Sequence, residues 1–272
     1  MSEQVATEEE ALDRTRQPIR SDIAWSTRDR ITVRGHDLPG ELLGHLDIGA
    51  FSFLQITGRM PTSEEARVYN AIIVTLIEHG MTPSAIAARL TYAGAPESLQ
   101  AAVAAGICGL GTVFVGSMEG AARMLSAALP EPDSADLNLE RVARVVVTQY
   151  RDGGETLPGL GHPLHKPIDP RTPRLLEIAA ETGFAGPYIE LVQLIGQEAS
   201  RIFARELPVN ATGVIGALCC ELGFPWQIVR GFGVMARAIG LVGHLLEEQQ
   251  MPTGMEIWRR IDDEASRSAQ RR

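Results

Sequence analysis

The sequence is short of aromatic residues, of cysteine and of positive charge, and each shortage excludes something. Aromatic side chains make up 5% of the 272 residues, within an apolar fraction of 44% carried mainly by alanine, leucine and glycine. Sheets lean on aromatic and β-branched residues, so this composition favours close-packed helices. Three cysteines, Cys108, Cys219 and Cys220, are too few and too oddly numbered for a disulfide framework. The adjacent pair lacks metal-ligand spacing, so the expectation is three reduced, buried thiols and no metal. Basic residues number 25 against 34 acidic ones, a net charge of −9, which argues against nucleic acid as a partner. A polyanionic ligand would need a local basic patch set against that field. The acidic amino terminus carries no apolar signal segment. The longest apolar run, Val229 to Leu246, is broken by Arg230, Arg237 and His244, so no membrane span is read there. The expected location is the cytoplasm.

What the chain does have is a loop of concentrated chemistry. Gly159-Leu160-Gly161-His162-Pro163-Leu164-His165-Lys166-Pro167-Ile168-Asp169-Pro170-Arg171 holds three prolines and two glycines in its first twelve residues and is no regular helix. It gathers two imidazoles, an ammonium, a carboxylate and a guanidinium, the kind of content that a scaffold positions for binding or catalysis. A helix is expected next, with Thr172 as N-cap, Pro173 at its first position and Gly183 as its stop, so Arg171 stands at the loop-to-helix junction.

The remaining pattern is helical. Residues 1 to about 20 read as a polar arm, and Arg30 to Leu38 alternates apolar and polar residues like a short hairpin, with His36 in a structural role. Helices are expected after Ile48, from Thr62 to His79-Gly80, from Pro83 to Gly94, through the alanine-rich Leu99–Gly111 stretch, from Leu139 to Gly153 and from Tyr188 to Phe203. The last runs from Pro225 to about Glu248, followed by a charged tail. Gly106-x-x-Gly-x-Gly111 follows no strand, so it is not a dinucleotide fingerprint. Arg237 lies in an apolar helical stretch and needs an anion. The candidates are a carboxylate of Glu206, Glu221 or Glu247, or one from a bound acid.

The run Gly-x-Gly-His-x-x-x-Lys-x-x-Asp-Pro-Arg, together with Ala-Arg-x-x-Gly-x-x-x-His at Ala236–His244, resembles the citrate synthase superfamily, and more closely its short citryl-CoA-lyase-like branch. The resemblance covers about Trp25 to Glu248. It implies an all-α fold of two helical domains with a small N-terminal β element. A mobile arm would occupy residues 1–24, a large domain 25–121 with 209–272, and a small domain 122–208. It implies carbon–carbon bond formation or cleavage between an acyl-CoA and an oxo acid in a homodimer, with a coenzyme A thioester as substrate and no metal.

Roles transfer residue by residue. His162 would hydrogen-bond the reacting oxygen, and His79, Arg171 and Arg237 would hold the carboxylates of a di- or tricarboxylic acid. His165 and Lys166 would touch coenzyme A phosphates. Two positions depart from the family pattern. Glu119 stands where the family places a catalytic histidine, and Thr212, in Val209-Asn210-Ala211-Thr212-Gly213, stands where it places the aspartate that moves the thioester's α-proton. A threonine hydroxyl has no suitable pKa for that task. A non-catalytic acyl-CoA or organic-acid binder, and a subunit that needs a partner chain, therefore stay beside the enzyme reading.

Overall fold

The computed structural model describes residues 19–134, 137–161 and 166–270. Their contacts divide them into two compact units, meeting in sequence between Thr62 and Ser63.

The first unit opens with three short antiparallel strands, β1 (Ala24–Ser26), β2 (Ile31–Val33) and β3 (His36–Asp37). The expected hairpin is β2–β3, turning through Arg34 and Gly35, both at positive φ. His36 Nδ1 lies 3.2 Å from Glu41 Oε2. Asp37 then caps a single π-helical turn, Leu38–Leu42, and α1 (Ile48–Thr57) follows, capped by Asp47 and ended by left-handed Gly58. Val33, Leu42 and Leu54 form this unit's small core.

Among its described residues the second unit is built from helices, with an isolated antiparallel bridge between Leu160 and Val209. In chain order it contains α2 (Ser63–Ile77), α3 (Pro83–Gly94), α4 (Leu99–Cys108), α5 (Gly116–Ala128) and α6 (Leu139–Asp152). Then come α7 (Arg171–Thr182), α8 (Pro187–Phe203), α9 (Ala211–Glu221), α10 (Trp226–Gln250) and α11 (Gly254–Gln270). At its centre is α9, buried along nearly its whole length and packed on α5, α7 and α8. Close approach is possible because Gly216 has no side chain: a Cβ there would lie 2.8 Å from Ala121 Cβ and 2.9 Å from the Ala122 nitrogen. Tyr69, Phe224 and Phe232 stack beside it, with T-shaped pairs at 5.5 and 4.8 Å.

By length and composition α10 would suit a membrane span. Here it is a core helix, laid across α2, α3, α4 and α5. Two expectations need correction, the start of α7 and the burial of Cys108. α7 begins at Arg171, not after a Thr172 cap. The Asp169 carboxylate accepts the Arg171 N–H at 3.1 Å, and buried Thr172 instead donates to the Val209 carbonyl at 3.3 Å. The charged tail forms α11, a polar helix whose one buried residue is Gly254. Cys108 is exposed, whereas Cys219 and Cys220 are buried as expected; burial pushes the Cys219 thiol well above its usual range.

Candidate functional site

Two clusters hold the candidate residues that are described, and both belong to the second unit. The first forms where the N-terminal ends of α5, α7 and α9 meet the strap Gly159–Gly161. Asn210 caps α9 by accepting the Gly213 N–H at 3.1 Å, and its amide nitrogen donates to the Gly161 carbonyl at 2.5 Å. The Asn210 N–H donates to the Gly159 carbonyl at 3.0 Å, and the Gly161 N–H donates to the Pro208 carbonyl at 2.7 Å. The strap and the α9 cap are thereby stitched together. Gly159 (φ +82°) and Gly213 face each other so closely that a methyl on either would collide with the other's backbone.

The Thr212 hydroxyl donates to Asn210 Oδ1 at 2.7 Å. Ser117, on the first turn of α5, lies 2.8 Å from the same hydroxyl and accepts the Gly159 N–H at 3.2 Å. Since Thr212 has one proton and spends it on Asn210, Ser117 donates to Thr212. Thr212 is therefore a link in a closed hydrogen-bond chain. Ser117 is a member that sequence reasoning missed; its place two residues before Glu119 was the available signal.

Arg171 is held by its near neighbour. Its Nε and Nη2 donate to the two oxygens of Asp169 at 3.0 and 2.8 Å, a bidentate pair. Asp169 is 2% exposed and also accepts the Ala211 N–H at 3.2 Å. Burial acts to raise its pKa, but the bonds from Arg171 and Ala211 outweigh it and hold the carboxyl down to about 2. Lys166 is exposed on the segment leading into α7. His162 and His165 lie outside the described residues.

The second cluster lies along α10. Arg230, Arg237 and His244 recur every seven residues, so they share one face, each separated from the next by about 10.5 Å of helix. Arg230 Nε donates to Glu119 Oε2 at 2.5 Å, so the glutamate read as a possible acid or base is paired with a guanidinium. His244 Nε2 lies 3.2 Å from Glu78 Oε1 and 3.1 Å from Oε2. Gly240 makes the Glu78 contact possible: a methyl there would strike the Ile77 carbonyl at the end of α2.

Between them stands Arg237, 8% exposed. Among the described residues its Nε and Nη1 have no hydrogen-bond partner. The nearby carboxylate is Glu78, at 3.7 Å from Nη1. Of the three Arg237 partners expected from sequence, Glu221 accepts the Tyr188 and Ile189 N–H groups, Glu247 pairs with Arg89, and Glu206 is exposed. Burial lowers the Arg237 pKa from its ordinary value, with the Glu78 charge opposing. Burial acts upward on Glu78, yet the His79 and Gly80 N–H groups and His244 bring its carboxyl below the usual range. His79 is half-buried beside them, its N–H donating to Glu78 at 2.8 Å.

A cavity of about 550 Å³ lies elsewhere, between α5 and α6, lined by Arg123, Met124, Arg141, Val142, Val146 and Tyr150 among others. It contains none of the candidate residues. Among the described residues, no group of three or more His, Cys, Asp and Glu side chains is placed to hold a metal ion.

Arg237 lies in the Ala-Arg-x-x-Gly-x-x-x-His run and Arg171 at the Asp-Pro-Arg junction, the two motifs that carry the sequence resemblance. The family model described as "Citrate synthase, C-terminal domain" matches residues 26–260. The chain belongs to the citrate synthase family. Among solved structures, citryl-CoA lyase from Hydrogenobacter thermophilus is 32% identical, with a TM-score of 0.77 over 86% of this chain and 88% of that one. ATP citrate lyase from Methanothrix soehngenii, solved with citrate and coenzyme A, shares the fold at 21% identity and a TM-score of 0.70, over 90% of this chain and 41% of that one. An alkylcitrate synthase from Talaromyces stipitatus is 29% identical over 191 residues, 68% of this chain and 41% of that protein. The chain spans about half the length of the curated relatives it matches.

Proposed function

We propose that this citrate synthase family member makes or cleaves the carbon–carbon bond between an acyl-CoA and an oxo acid, as a citryl-CoA-lyase-like enzyme. The observation that carries the reading is Arg237, a buried guanidinium whose Nε and Nη1 have no partner among the described residues. Leaving those donors without acceptors is costly, and a carboxylate would satisfy them. His79 and Arg171 would hold further carboxylates of a di- or tricarboxylic acid. The likeness to citryl-CoA lyase, over most of both chains, supports a coenzyme A thioester as the other component, with His165 and Lys166 toward its phosphates.

In the cleavage direction, the hydroxyl of a 3-hydroxyacyl-CoA loses its proton as its carbon becomes a carbonyl. The bond to the thioester's α-carbon breaks, and its electron pair passes to the thioester as an enolate, which then takes up a proton. His162 would hydrogen-bond the reacting oxygen as its charge changes. Glu119 and Thr212 occupy the two positions where the family pattern places proton-handling groups, and Glu119 is the one of the two that carries a carboxyl. We further propose a homodimer in the cytoplasm, with large-domain residues 25–121 and 209–272 and small-domain residues 122–208.

The test is a panel of acyl-CoA thioesters and oxo acids incubated in both directions and read by mass spectrometry. Citryl-CoA or a related 3-hydroxyacyl-CoA should turn over, whereas acetyl-CoA and oxaloacetate should yield negligible citrate. Rapid citrate formation would refute the substrate assignment. Unchanged deuterium exchange into acetyl-CoA in Glu119→Gln would remove Glu119 as the base. Thr212 favours a second reading, a non-catalytic binder of acyl-CoA or organic acid, because its hydroxyl is already committed to Asn210. Saturable binding without turnover on the whole panel would select it.

A further inference from the structure

Glu78 and Arg237 present a puzzle. A carboxylate stands 3.7 Å from a buried guanidinium with two donors unsatisfied among the described residues, yet makes no hydrogen bond to it. Glu78 is 46% exposed, so crowding alone does not hold it off. Other donors do. The His79 and Gly80 N–H groups bond its Oε1 at 2.8 and 2.6 Å, and His244 Nε2 approaches both oxygens.

His244 can donate there because of what binds its other nitrogen. Arg89 presents Nε at 3.2 Å and Nη2 at 2.9 Å to His244 Nδ1. A guanidinium only donates, so Nδ1 accepts and the ring proton is placed on Nε2, facing Glu78. Arg89 is itself fixed. It is 1% exposed, and its Nη1 donates to Glu248 at 2.8 Å and to the Thr253 hydroxyl at 3.2 Å. Nη2 pairs with Glu247.

We propose that Arg89 and His244 are positioning residues that hold the Glu78 carboxylate just short of Arg237, and that Glu78 is the internal competitor for the place a substrate carboxylate takes. The inference rests on the reading of Arg237 as a carboxylate clamp. With the relay intact, the counter-charge is near enough to oppose part of the cost of burying Arg237, and the donors stay open. With the relay cut, Glu78 swings onto Arg237 and an incoming acid must displace it.

The test uses the full chain, calorimetry with citrate, and the variants His244→Phe, Glu78→Gln and their combination. His244→Phe removes the donor to Glu78 while Arg89 keeps both glutamates. It should weaken citrate binding at least tenfold. Adding Glu78→Gln should restore parental affinity, since a neutral amide competes poorly for a guanidinium. A merely structural role would leave the double variant no tighter than His244→Phe. A crystal structure of His244→Phe should show Glu78 closed to within about 3 Å of Arg237.

Should His244→Phe fail to fold, Arg89→Lys, with and without Glu78→Gln, makes the same comparison. Lysine keeps the charge against Glu247 and Glu248 but lacks the fork that grips Nδ1. Parental affinity in a folded relay variant, or no rescue by Glu78→Gln, overturns the relay. Arg237→Leu separates the two claims. If it binds citrate like the parent, or the parent binds none, the clamp itself is wrong; if it loses binding while rescue fails, the relay alone is wrong.

Discussion

Arg171 and Arg237 were read from the sequence as equals, and the structure makes them opposites. Arg171 is partly exposed and grips Asp169 with two nitrogens. Arg237 is buried, and two of its nitrogens have no partner among the described residues. One guanidinium has two of its nitrogens bonded to a neighbouring carboxylate, whereas the other keeps two donors for the carboxylate we propose. Burial alone would have ranked them by accessibility; the count of satisfied donors ranks them differently.

The largest effect that could break this comparison is on binding. Arg237→Leu should weaken tricarboxylate binding by about 30- to 1000-fold, equivalent to roughly 2–4 kcal/mol, with thermal stability unchanged or higher. Arg171→Leu should cost less in affinity and more in stability, because it leaves Asp169 buried and unpaired. Calorimetry and thermal melts on both variants would show whether the order reverses.

Asp169 sharpens the same contrast. Its folded pKa of about 2 lies below the ordinary value of 3.8, so its contribution is present above about pH 4 and is lost as pH falls toward 2. That contribution is about 2 kcal/mol. Asp169→Asn should lower stability by about that much at pH 6 and by almost nothing near pH 2, measured by urea unfolding. Equal losses at both pH values would mean that the pair does not shift the carboxyl.

Gly213→Ala should destabilise by roughly 1–3 kcal/mol, the usual range for overpacking, since the new methyl meets the Gly159 backbone. Ala211→Gly, two residues away, should lack that steric signature. Smallest in energy is the thiol contrast: a colorimetric reagent should label Cys108 in the folded protein, and Cys219 and Cys220 only after unfolding.

Much of this was legible in the chain. The helix starts at Pro83 and Leu139 and the stop at Gly183 were marked, because starts and stops are local chemistry. Arg171 and Arg237 were visible because each sits in a dense motif. The Glu78–His244–Arg89 relay was not visible, since its links span 166 and 155 residues and only packing brings them together. The bond from Asp169 to the Ala211 N–H escaped notice for the same reason. α11 was read only as a charged tail, because its many charges mask Ile257, Trp258 and Ile261, which stand at helical spacing, Trp258 and Ile261 staying exposed.

The stripe on α10 has an evolutionary consequence. Arg230 reaches Glu119, Arg237 faces Glu78, and His244 bonds Glu78, all from one uninterrupted helix. The helix therefore acts as a ruler whose graduations are seven residues apart. Inserting or deleting one residue between Arg230 and Arg237 would turn everything beyond it by about 100°. No neighbouring contact would need to be mutated for the alignment to be lost. A change of length in an exposed loop leaves this alignment intact, whereas a single insertion or deletion between Arg230 and His244 destroys it.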